Sequence, residues 1–205
     1  MMNFQKEMDN LILKNKENNI VPTLLLHACC APCSSYVLEY LSDYFKITVF
    51  YYNPNISPES EYKYRLEEEK RLISQLNTKY PVSIIDSEYN PNTFFSAVKG
   101  LEKEVEGGER CNVCFKLRLE ETAKLCKEQG FDYFATTLTI SPLKNANNIN
   151  AIGSDLAQKY QVNYLPSDFK KKNGYKRSTE LSKQFNLYRQ NFCGCVFSKV
   201  MKEEM

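Results

Sequence analysis

Four short runs of apolar, strand-favouring residues recur along the chain: Thr23–Ala28 (TLLLHA), Lys46–Tyr52 (KITVFYY), Val82–Asp86 (VSIID) and Tyr133–Thr137 (YFATT), with a shorter candidate at Val162–Leu165. They are nearly continuously apolar, which is the pattern of strands covered on both faces. Between them, Ser34–Tyr44, Glu59–Asn77, Pro91–Glu102 and Val113–Gln129 carry helical spacing; several open with Ser or Pro and one closes at Gly130. This alternation predicts an α/β fold, a Rossmann-like parallel sheet with flanking helices. In such sheets ligands sit beyond the carboxyl ends of the strands. Cys29-Cys30 directly follow the first run, Asn53-Pro54-Asn55 the second, and Ser141-Pro142 come shortly after the fourth. Three strand ends therefore point at one crevice.

Composition narrows this picture without changing it. With 205 residues and 42% hydrophobic composition the chain can bury a substantial core as one domain. Residues 1–20 read as a polar helical extension, and residues 166–205 as a basic segment lying on the same domain. No apolar run approaches a membrane span, and the charged start lacks the apolar region that secretion needs, so the expected setting is the cytoplasm. Net charge is only +2, so any affinity for nucleic acid has to come from local patches.

The candidate chemistry is sulfur. Seven of the eight cysteines fall in three clusters, Cys29-Cys30-Ala-Pro-Cys33, Cys111-Asn-Val-Cys114 and Cys193-Gly-Cys195. Closely spaced thiolates suit a soft-metal or redox centre. A disulfide framework belongs to short secreted chains, and zinc knuckles normally lie close in sequence, whereas Cys33 and Cys111 are separated by most of a sheet. Cys126 lies near helical spacing with Leu119, Ala123 and Leu125 and reads as a core residue. No glycine-rich phosphate loop follows any strand. The first turn instead offers thiolates near a helix start, where the dipole lowers their pKa.

Taken together, LLLHACCAPC, FYYNPNISPESEYKYR, ERCNVCFKLRLEETA, TTLTISPLKNANNI and SDFKKKNGYKRSTELSKQFNLYRQNFCGCVFS resemble the cobalamin-independent, QueH-type epoxyqueuosine reductases, in order and over Leu24 to Ser198. The resemblance implies a Rossmann-like fold related to the adenine-nucleotide alpha-hydrolase-like (HUP) group. It further implies a [4Fe-4S] cluster and reduction of epoxyqueuosine to queuosine in tRNA, with a separate electron donor. It implies Cys29, Cys30, Cys111 and Cys114 as cluster ligands. Cys193 and Cys195 then remain, either as a strained, easily reduced pair or, with Cys33, as ligands of a mononuclear iron that takes the epoxide oxygen.

Other residues read more openly. His27, the only histidine, is a candidate proton donor or a buried structural histidine. Tyr51 and Tyr52 are candidate acids or base-stacking surfaces, or simply strand packing. Lys170, Lys171, Lys172, Lys176 and Arg177, with Tyr175 among them and Arg189 before the last cysteine pair, are the candidate tRNA footprint. Two other classes remain: an ATP-dependent tRNA-thiolating enzyme, which would want an SGGxDS-like turn where ACCAPCSS stands, and a zinc-stabilised RNA-binding module.

Overall fold

The computed structural model describes residues 3–198. In chain order the elements are α1 (Phe4–Glu17), β1 (Thr23–His27), α2 (Ala31–Leu41), β2 (Lys46–Tyr51), α3 (Glu59–Gln75), β3 (Ser83–Asp86), α4 (Pro91–Ala97), α5 (Glu109–Gln129), β4 (Tyr133–Thr136), a 3-10 turn (Thr137–Ile140), α6 (Ala146–Tyr160) and α7 (Gly174–Gln184). The four strands form one parallel sheet in the order β3-β2-β1-β4. Successive side chains of a strand point to opposite faces. Leu24 and Leu26 accordingly join Met8, Val37, Leu38, Phe45 and Val49 under α1 and α2, while Leu25 joins Phe115, Leu119, Ala123, Phe134 and Ile149 under α5 and α6. That two-sided burial is why the strand runs are apolar throughout.

Helix ends follow local chemistry. Pro32 sits in the first turn of α2, and Gly130 closes α5 in the left-handed region at φ 71°. Helices α6 and α7 were not anticipated. An asparagine-rich stretch interrupted by Gly153 argues against α6, yet Asn145 Oδ1 accepts from the backbone N–H of Asn147 and Asn148, and Gly153 is where the Tyr164 ring lies against the helix. α7 has few apolar residues; it seats on α2 through Gly174, Ser178, Leu181 and Ser182. The candidate strand at 162–165 reduces to one bridge, Phe134 to Tyr164. The helix after Pro91 ends at Ala97 rather than Glu102, ahead of Gly100 at φ 87°.

Candidate functional site

The three strand ends meet as their positions in the sheet require. The Cys29-Cys30 turn leaves the central strand β1, Asn53–Asn55 leave β2, and the segment to Lys144 leaves β4. Asn53 Nδ2 donates to the Ala28 carbonyl at 2.8 Å and ties the first two ends together. The ends close over a cavity of about 270 Å³ lined by Cys29, Cys30, Cys33, Lys144, Gln190 and Cys193 among others. Its outer wall is the strap of residues 185–193 that follows α7.

The seven clustered thiols fall into two sets. The sulfurs of Cys29, Cys30 and Cys33 all lie within 4.8 Å of one another. Cys30 caps α2 in extended backbone, and Cys33 follows one turn in. Cys111 and Cys114, one turn apart at the start of α5, line a second pocket together with Cys193 and Cys195. Gly194, at φ 119°, makes the tight turn between the last two; a Cβ there would press on Ile56 and Arg65 at 3.0 and 3.1 Å. Cys193 lines both pockets. The two pockets adjoin: Cys29, Cys111, Cys114 and Cys193 all act on the one buried guanidinium of Arg118. All eight cysteines are free thiols.

Their acidities differ by surroundings. Hydrogen bonds from Cys29 and Cys33 hold the Cys30 thiol well below its usual value, while Cys33 is held well above, chiefly by Cys29 and Cys30. Cys29 is also raised, so the helix start favours one thiolate of the three rather than all. Burial pushes Cys114 up to about 12 and Cys195 up to about 11.

Against these sulfurs stand cations that sequence reading missed. Arg118 and Arg65 are each 1% exposed. Arg118 Nε donates to the Cys114 carbonyl at 3.2 Å, and Arg65 Nη1 to the Cys193 carbonyl at 3.2 Å. The Nη2 of each has no partner among the described residues. Burial opposes their charge, but Cys114, Cys193, Cys29 and Cys111 around Arg118, and Cys30, Glu61 and Cys29 around Arg65, sustain it. A guanidinium buried with an idle N–H needs an anionic neighbour. The only sequence signal was an arginine four residues after Cys114, which is not specific.

Several expected site residues go elsewhere. His27 is fully buried, with Nδ1 3.0 Å from Thr136 Oγ1 and Nε2 3.2 Å from the Tyr52 carbonyl. Burial lowers its pKa to about 4. With both nitrogens engaged it ties β4 to the end of β2. Tyr51 is buried with its hydroxyl toward the Tyr62 carbonyl, and Tyr52 stacks on Phe50 at 5.8 Å away from the cavity. The basic run is partly spent on the fold: Lys170 pairs with Asp168, Lys172 with Asp9 at 2.7 Å, and Arg177 grips Glu39 with two nitrogens at 2.9 and 2.6 Å. Lys171 and Lys176 are exposed and outside any ion pair among the described residues, and Arg189 reaches the cavity mouth while donating to Ser182. Cys126 is buried in the core, its thiol 3.4 Å from the Phe131 carbonyl.

With this geometry in place, comparison with known proteins is specific. The sequence profile described as "Epoxyqueuosine reductase QueH" matches residues 24–201. Curated relatives of that name include those of Streptococcus pyogenes serotype M1, 45% identical over 98% of this chain and 80% of the relative, and Staphylococcus epidermidis, 45% identical over 96% and 84%. The Thermotoga maritima relative is 37% identical over 89% and 93%. Among solved structures, the U34-tRNA thiolase NcsA from Methanococcus maripaludis with its [4Fe-4S] cluster shares the fold, at TM-score 0.52 and 11% identity over 98% of this chain and 72% of that one.

Proposed function

This chain belongs to the epoxyqueuosine reductase QueH family and is an oxidoreductase, and we propose that it reduces epoxyqueuosine within tRNA using metal held by its two thiol sets. The observation that carries the proposal is that division into sets. A metal–sulfur bond of about 2.3 Å places tetrahedral ligand sulfurs about 3.8 Å apart, so three sulfurs within 4.8 Å suit a single ion. A [4Fe-4S] cluster spreads its four cysteines over four irons; for Cys111, Cys114, Cys193 and Cys195 to hold one, their pocket, about 20 Å³ as it stands, has to open into the 270 Å³ cavity that Cys193 also lines. The unpartnered Nη2 atoms of Arg118 and Arg65 fit an anionic group beside these sulfurs. Bound there, the cluster supplies single electrons at a potential set by its surroundings, and the electrons come from a separate donor.

The chain's own residues do the rest. Asn53 ties the first two strand ends together, the Ser141–Lys144 turn lines the cavity, and the strap carrying Gln190 and Cys193 forms one of its walls. We assign tRNA contact to Lys171, Lys176 and Arg189, the cations of the basic segment left free for phosphates. Among the described residues no helix is long and apolar enough to cross a membrane.

Protein purified without oxygen is expected to contain iron and acid-labile sulfide and, with a low-potential reductant, to convert epoxyqueuosine to queuosine in tRNA, read by nucleoside mass spectrometry. Exchanging Cys193 and Cys195 for Ser then tests the ligand sets: loss of the sulfide-containing chromophore supports the present assignment, whereas an intact chromophore with no turnover returns the pair to a separate redox role.

A further inference from the structure

The geometry points to Lys144 as the residue that receives the oxygen of the epoxide as the ring opens. The inference deepens the reductase reading and rests on it. Lys144 ends the turn after β4, which is held by Lys144 N to the Ser141 carbonyl at 3.2 Å and Leu143 N to Ser141 Oγ at 3.3 Å, with the Asn145 cap of α6 immediately behind. Lys144 lines both the 270 Å³ cavity and the pocket of the second thiol set, as well as a cleft beside Asn145 and Lys171. It stands where the two sets meet, and makes no ion pair among the described residues.

The reduction breaks both C–O bonds of the epoxide, takes up two electrons and two protons, and releases the oxygen as water, leaving an alkene. As the first of these bonds breaks, the oxygen gathers negative charge, and a fixed cation or N–H donor in the cavity stabilises the transition state more than the ground state. The alternatives are occupied or misplaced. His27 has both nitrogens engaged, Tyr51 is turned into the core, Arg118 lies in the second pocket only, and Arg189 sits exposed at the mouth with Ser182 as its partner. Lys144 remains. Across the cavity, the Gln190 side-chain oxygen is buried without a partner, an acceptor for a donor on the same ligand.

The test compares wild type, Lys144→Met and Lys144→Arg as oxygen-free holoenzymes. Iron, sulfide and visible absorbance are expected to match wild type in both variants. Turnover of epoxyqueuosine-containing tRNA by Lys144→Met should fall on the order of 10²-fold with KM for the tRNA little changed, as for loss of one preorganised donor; Lys144→Arg should recover part of it. A binding measurement adds a readout independent of turnover: wild type should hold the epoxide form of the tRNA about tenfold more tightly than the queuosine form, a difference expected of one charge-assisted hydrogen bond, and Lys144→Met should lose that preference. Lys144→Met turning over at the wild-type rate, or losing iron in step with activity, overturns the assignment; in the second case the lysine only balances thiolate charge. Wild-type holoenzyme that leaves epoxyqueuosine untouched overturns the reductase reading itself.

Discussion

Among the cysteines, environment separates ligand from filler. Cys126 lies wholly within apolar neighbours of α5, α6 and β4, and burial raises its pKa to about 11. Cys126→Ala should therefore keep its iron and activity and cost about 1 kcal/mol of stability, the price of a small cavity; Cys114→Ala should lose the chromophore, because one iron is left open to solvent. Iron content and denaturant unfolding of both variants check this. A second residue-scale prediction concerns Glu69, fully buried on α3 with both oxygens unpartnered among the described residues. Burial raises its carboxyl from 4.5 to about 8. Between those values the folded chain keeps a proton that the unfolded chain has lost, so stability falls as pH rises through this window, by at most about 1.4 kcal/mol per pH unit. Glu69→Gln should remove that slope, measured as the difference between the two unfolding curves from pH 5 to 8.

At the scale of elements, α3 explains its own charge. Within the charged run EYKYRLEEEKR, Glu61, Arg65, Glu68 and Arg71 rise along one side of the helix and grip the strap. Arg71 Nη1 and Nη2 donate to the Phe185 and Asn186 carbonyls at 3.0 and 3.1 Å, satisfying backbone acceptors at the end of α7. Glu68 accepts from the Tyr188 N–H at 3.0 Å, and Arg65 holds Cys193. Because Arg71 is about one-third exposed, solvent screens it, and Arg71→Ala should cost only about 1 kcal/mol globally. Its larger effect should be local: faster amide exchange across 185–193 and reduced iron retention. Gly153 makes the complementary point for α6. A Cβ there runs into the Tyr164 ring, so Gly153→Ala should destabilise by about 1–3 kcal/mol through overpacking even though alanine favours helix. Thermal unfolding decides between packing and propensity.

Across the whole molecule, the cavity mouth carries exposed Leu143 and Tyr175 beside Arg189, and the free lysines lie on the α7 side of it. Reversing Lys171 and Lys176 to Glu should weaken tRNA binding and flatten its dependence on salt, since fewer counterions are released, while leaving iron unchanged; Lys172→Glu should mainly loosen α1, whose Asp9 it holds. Equal salt slopes for all three proteins would mean that tRNA docks elsewhere. These assignments show where sequence information ends. The four strands, the parallel α/β class, the crevice at the strand ends, the core role of Cys126 and the sulfur character of the site were legible in the chain, because residue period and close cysteine spacing are local properties that survive folding. Helix α7 was not legible, since its few apolar residues acquire meaning only against α2. The nearness of Cys193 and Cys195 to the CxxC of α5 was not either, nor the partners that engage the two nitrogens of His27. The free or paired state of each lysine depends on partners as remote as Asp9, 163 positions from Lys172. Only the tertiary structure decided these, because such contacts are set by how the sheet and helices pack, and no local pattern encodes that.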